Sequence, residues 1–109
     1  MNTELLNKIS GFPTPFYYYD LALLNATLDF AKNEADKYGF HLHYAVKANF
    51  NEPILNLISE KGYGADCVSG REVEASVKAG FKAGDVVFAG VGKSDAEINA
   101  ALDLDIFFL

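Results

Sequence analysis

With 109 residues, half of them hydrophobic, the chain can bury one globular core but falls short of a closed eight-stranded βα barrel, which takes about 250 residues. A formal net charge of -6 opposes a phosphate-neutralising surface and so argues against nucleic acid as a partner. One cysteine, Cys67, excludes an internal disulfide, no Cys/His cluster has metal-ligand spacing, and no run has the form of a signal peptide or a membrane span, so a cytoplasmic location is expected.

Phe12 to Tyr19 reads Phe-Pro-Thr-Pro-Phe-Tyr-Tyr-Tyr, and its prolines argue against a helix or a central strand. Phe16 to Tyr19 is expected to be a short strand. Asp20 has the character of a helix cap, and Leu21, Leu24, Leu28, Ala31, Ala35 and Tyr38 follow at helical spacing up to Gly39.

His41 to Lys47 alternates as a strand does, with Leu42, Tyr44 and Val46 on one side and His43, Ala45 and Lys47 on the other. Lys47 is then the last strand residue before a polar loop and a helix opening at Glu52-Pro53. In α/β proteins, chemistry gathers at that position, because βα loops converge on one rim. A lysine there ordinarily carries its charge into water. Small Ala45 on the same face leaves room for a flat partner, and a desolvated lysine loses its proton more easily and becomes a nucleophile toward carbonyls. His41 and His43 share a face, and without an acidic or thiol partner at ligand spacing they do not suggest a metal site.

Ile54, Leu55, Leu57 and Ile58 form the buried side of the next helix, which stops at Lys61-Gly62. Gly64 to Val68 reads as a strand in which Cys67 is a small core residue. Ser69 and Glu72 make a capping-box pattern for a helix ending at Gly80. Val86 to Ala89 is a further strand, Gly90 to Lys93 a turn, and Ser94 with Glu97 a second capping box. Gly92-Lys93-Ser94 resembles a phosphate loop only in part, since the full pattern needs glycine at the position of Val87. Asp105 to Leu109 is expected to be the last strand.

Strands and helices thus alternate at roughly twenty-residue intervals, the order of an α/β fold with parallel strands and right-handed crossovers. A final apolar strand with an open edge looks unfinished, and the chain is expected to be an amino-terminal fragment. Lys47, Asp66 to Ser69 and Gly90 to Ser94 fall on one rim. Asp66 is either a solvated loop carboxylate or a charge that acts on a nearby lysine. Glu72 is at least a capping residue, and its place one turn behind the rim leaves a site role open.

Three motifs in order, Y-A-V-K-A-N at 44–49, G-A-D-C-V-S-G-R-E at 64–72 and G-V-G-K-S-D-A-E-I at 90–98, resemble the amino-terminal part of the diaminopimelate decarboxylases. These are pyridoxal-phosphate enzymes of the alanine-racemase, or group IV decarboxylase, barrel type. The resemblance implies that residues 20–109 are the first part of a TIM (β/α)8 barrel that binds pyridoxal 5'-phosphate. It implies that residues 1–19 are an extended segment pairing with a carboxyl-terminal β domain. Lys47 would hold the cofactor covalently, with Asp66 and Glu72 as catalytic neighbours that position it. The implied reaction is decarboxylation of meso-diaminopimelate to L-lysine and carbon dioxide by a homodimer. Alternatives are a decarboxylase for arginine, ornithine or carboxynorspermidine, or a non-catalytic relative that binds the cofactor. The family's phosphate-binding glycine run, substrate-contacting Glu-Pro-Gly-Arg segment and acid for the pyridine nitrogen have no counterpart in these residues, so the fragment alone is expected to be inactive.

Overall fold

Three short strands lie side by side in the computed structural model, which describes residues 3–107. They are β1 (His43–Ala45), β2 (Gly64–Cys67) and β3 (Val86–Phe88), all parallel and in the order β1-β2-β3. Helices α1 (Thr3–Ile9) and α2 (Leu21–Asp36) precede the sheet. Helices α3 (Glu52–Glu60) and α4 (Gly70–Lys78) are its crossovers, and α5 (Asp95–Asp103) follows β3. The expected α/β order with parallel strands is therefore the observed one.

Register divides the sheet into two faces. Tyr44, Ala65 and Val86 lie across one face, and Ala45, Asp66 and Val87 across the other. On the first face Ala65, Cys67, Val86 and Phe88 are buried and share a core with Leu55 and Ile58 of α3 and Val73 of α4. Full burial of side chains the size of Leu55, Ile58 or Phe88 contributes about 2 kcal/mol apiece. The second face is only half-buried. Strands this short stay in register because one face must be covered, and a slip of one residue would expose it.

Local chemistry starts and stops the helices. Asp20 caps α2 by accepting the Leu23 N–H at 2.9 Å, and Leu24, Leu28, Ala31 and Ala35 turn inward. Leu21 and Tyr38, at the ends of the expected stripe, remain exposed. At the other end of α2, Gly39 takes a φ of 71°, and the Phe40 N–H returns to the Ala35 carbonyl at 3.1 Å. Ser69 caps α4 through the Glu72 N–H at 3.3 Å, but the Glu72 carboxylate accepts from Val68 at 2.8 Å, so the expected box closes one residue further out. At α5 the box is complete, with Ser94 Oγ accepting the Glu97 N–H and Glu97 Oε2 the Ser94 N–H. Glu97 also accepts the Gly70 N–H at 2.9 Å, so one carboxylate joins the starts of α4 and α5.

Four sequence expectations change. The strand read from His41 to Lys47 is paired only over His43–Ala45, and Val46–Ala48 form a 3-10 turn that buries Val46 completely. Lys47 therefore sits in a turn, and its sharing of a face with Ala45, inferred from strand alternation, does not hold. Phe16 to Tyr19 is irregular chain that pairs with none of the three strands. Ahead of it Thr3–Ile9 is helical, so the opening nineteen residues are not extended throughout. Asp105, read as the start of the last strand, has a φ of 53° and closes α5 in a left-handed conformation. The Phe107 N–H then reaches the Val86 carbonyl at 3.1 Å beside β3, while Phe108 and Leu109 of that expected strand lie outside the described residues.

Two substitutions test this frame. A Cβ at Gly64 would come within 2.6 Å of the His43 ring and 2.7 Å of the Asp85 carbonyl oxygen. Gly64→Ala is therefore expected to lower unfolding stability by about 1–3 kcal/mol in denaturant titration. The three N–H and O–H donors around Glu97 hold its carboxyl down at about 2, against an ordinary value of 4.5. A depressed folded-state pKa stabilises the fold above the unfolded value, and that contribution is lost as pH falls through the folded one. The stability gap between the native protein and Glu97→Gln is thus expected to be constant above about pH 5 and to shrink between about pH 4.5 and pH 2, as read from melts across that range.

Candidate functional site

Parallel strands bring their carboxyl ends to one rim, and the turn after β1 carries Lys47 there. Buried Val46 anchors this turn from below, and Tyr44 Oη donates to the Asn49 carbonyl at 2.9 Å across it. Asn49 Oδ1 in turn accepts the Asn51 N–H at 2.9 Å, and Asn51 stands at the N-cap position of α3 without a side-chain cap. Lys47 lines an open groove of about 570 Å³ with Tyr17, Tyr19, Asn49 and Phe50. The rings of Tyr17 and Tyr19 stack at 6.3 Å and 14°. Among the described residues the Lys47 amine has no ion-pair or hydrogen-bond partner.

Asp66 lies on the half-buried face of β2, in register with Ala45, two residues before the lysine. It too has no hydrogen-bond or ion-pair partner among the described residues. Glu72 lies one turn into α4, with its carboxylate on the Val68 N–H. The fold thus sets the lysine turn after β1 at the same rim as the end of β2, which carries Asp66, and Glu72 holds the loop after β2.

Other sequence candidates have local explanations. Lys93 donates to the Gly90 carbonyl at 2.9 Å and stands over the Phe88 ring at 5.1 Å, so its amine is held against its own turn. His41 and His43 meet edge to face at 5.0 Å, and His41 Nε2 approaches Asp85 Oδ1 at 3.4 Å, an acidic partner that sequence spacing did not disclose. Cys67 is wholly buried with its Sγ 3.4 Å from Ser76 Oγ, as befits a small core residue.

A family profile described as the pyridoxal-dependent decarboxylase, pyridoxal binding domain, matches residues 21–109. The chain belongs to this family. It is 52% identical over 103 residues to the diaminopimelate decarboxylase of Bacteroides thetaiotaomicron, covering 94% of this chain and 27% of that protein. With the enzyme of the same name from Helicobacter pylori J99 it shares 44% identity over 99 residues, covering 90% of this chain and 24% of that protein. The crystal structure of diaminopimelate decarboxylase from Helicobacter pylori complexed with L-lysine superposes with a TM-score of 0.83 at 44% identity, covering 98% of this chain and 27% of that one. The chain thus spans about a quarter of the length of the relatives it matches.

The groove residues fit pyridoxal phosphate in three respects. An amine without a competing partner is required for a covalent bond to the cofactor's aldehyde carbon, and Lys47 supplies one. A flat ring needs an apolar wall, which Tyr17, Tyr19 and Phe50 provide. The groove volume lies in the range of small-molecule sites.

Sequence reasoning missed Tyr17, Tyr19, Asn49 and Phe50 as groove residues. The signal for the tyrosines was present in their i, i+2 spacing, which puts them on one side of an extended chain. Asn49 and Phe50 carried no such sign, because a loop has no period to read.

Burial pushes the Cys67 thiol up to about 11, so its reactive thiolate is scarce at neutral pH. Iodoacetamide at pH 7.5 is expected to leave Cys67 unmodified in the folded protein and to alkylate it fully in denaturant, with mass spectrometry reading the difference.

Proposed function

We propose that this chain is the lysine-bearing portion of a pyridoxal-phosphate-dependent decarboxylase that converts meso-diaminopimelate to L-lysine and carbon dioxide. The observation that carries the reading is the unpartnered Lys47 amine at the carboxyl-end rim of a parallel sheet, inside a groove walled by aromatic rings. The names of the relatives, and the L-lysine bound in one of their structures, support the choice of substrate. Pyridoxal phosphate, when bound, supplies a sink for the electron pair left behind as carbon dioxide departs.

This chain's own residues hold and orient. Lys47 holds the cofactor through Nζ, and Tyr17 and Tyr19 screen one side of the groove from water. Asp66, on β2 in register with Ala45, helps to position the lysine. Glu72 acts one step removed, keeping the loop after β2 in place through the Val68 N–H.

Residues 20–109 serve as the first part of a TIM barrel, and residues 1–19 pack against a carboxyl-terminal β domain. Exposed Phe12, Phe16 and Tyr18 are apolar surface suited to such a cover. The whole enzyme works as a homodimer in the cytoplasm. Among the described residues no helix is long and apolar enough to cross a membrane.

The test uses a protein of the relatives' full length that carries this chain. Borohydride reduction in the presence of pyridoxal phosphate is expected to fix the label on Lys47. Lys47→Ala should abolish the label and lower carbon dioxide release from meso-diaminopimelate by about a thousandfold or more. A label on another lysine would remove Lys47 from its role. Release from ornithine or arginine in place of meso-diaminopimelate would reassign the substrate.

A further inference from the structure

The turn that carries Lys47 is held from one side by a residue of its own strand. Tyr44 lies on the core face of β1, half-buried, yet its hydroxyl passes over the turn to the Asn49 carbonyl at 2.9 Å. That bond spans the three residues Val46–Ala48 from strand to loop. Below it, Val46 is wholly buried, which removes the other freedom of the turn. Beyond it, the Asn49 side chain accepts the Asn51 N–H, and Asn51 begins α3. Lys47 is thus an exposed residue, with Ala48, of a segment tied to the sheet, the core and the next helix. A lysine side chain has much rotamer freedom, so the direction of its backbone decides where its amine can reach.

We infer that Tyr44 is a positioning residue for Lys47: its hydroxyl clamps the Asn49 carbonyl so that the 3-10 turn presents the lysine amine to the groove before the cofactor arrives. The inference rests on the proposed role of Lys47 and adds the residue that preorganises it. Burial raises the Tyr44 hydroxyl above its ordinary pKa, which keeps it a donor throughout the neutral and mildly alkaline range. Preorganisation lowers the cost of capture, so its loss shows as weaker binding of pyridoxal phosphate.

The experiment compares Tyr44→Phe, which removes only the hydroxyl, with Tyr44→Leu, which removes the ring as well, in the full-length protein. Two quantities are read: the pyridoxal phosphate concentration giving half-maximal borohydride labelling of Lys47, and the melting temperature of the cofactor-free protein. In Tyr44→Phe the half-maximal concentration is expected to rise about fivefold, the factor that one hydrogen bond commands, with the melting temperature within about 2 °C of the native value. Tyr44→Leu should show a similar loss of labelling together with a lower melting temperature. Labelling unchanged in Tyr44→Phe and weakened only in Tyr44→Leu would assign the effect to ring packing and overturn the clamp. Failure of Tyr44→Phe to fold, or labelling lost only in proportion to melting, would make the hydroxyl a general structural group and overturn it equally. If the unsubstituted protein takes no label at Lys47, the reading of the lysine falls and the clamp falls with it. Native labelling at Lys47 that Tyr44→Phe leaves unchanged overturns the clamp alone and leaves that reading intact.

Discussion

The parallel ladder between His43–Ala45 and Gly64–Cys67 is the constraint from which the rest of the molecule follows. It brings Ala65 beside Tyr44 on the face that must be buried, and Asp66 beside Ala45 on the face that is not. Gly64 stands at the tight end of the ladder, between the His43 ring and the Asp85 carbonyl, where a side chain has no room. Because the strands are parallel, the chain leaves both at the same end, and the lysine turn emerges next to the loop that follows Asp66.

At that end the structure is held by hydrogen bonds to backbone groups more than by ion pairs. Glu72 takes the Val68 N–H, Glu97 takes those of Gly70 and Ser94, and Tyr44 donates to the Asn49 carbonyl. Among the described residues, ion pairs such as Lys8 with Glu4 and Lys37 with Glu34 join exposed side chains and contribute little. Such a division suits a site whose chemistry needs an unpaired amine. A carboxylate bonded to Lys47 would compete with a carbonyl partner, and Glu72 and Glu97 are instead bonded to N–H donors.

Membership of the pyridoxal-dependent decarboxylases gives these details a purpose. The chain spans about a quarter of its relatives, and the groove beside Lys47 is open. The exposed aromatic residues of the first segment and the half-buried inner face of the sheet are surfaces that further chain can cover. The fold of this portion nonetheless has its own logic: one buried face, capped helices and a lysine turn tied at three points.

Much of this was legible without coordinates. Apolar periodicity located α2 to α4, Asp20, Ser69 and Ser94 marked helix starts, and the alternation of strands with helices indicated a parallel sheet. These are local signals, carried by residues three or four apart, and they survive any tertiary context. The motifs around Lys47, Asp66 and Glu72 likewise named the family before the sheet was seen. What needed the tertiary structure was everything decided by a neighbour distant in sequence. The strand through Lys47 is short because only three of its residues find partners in β2, so the lysine passes into a turn. Phe16 to Tyr19 has strand-forming residues and forms no strand, since among the described residues its backbone pairs with none of the three strands. Glu97 reaches the start of α4 and His41 reaches Asp85 by folding, at separations for which a sequence has no period. Composition and spacing determine which elements a chain prefers; only the packed structure decides which backbone groups find each other, because that choice is made by proximity in space.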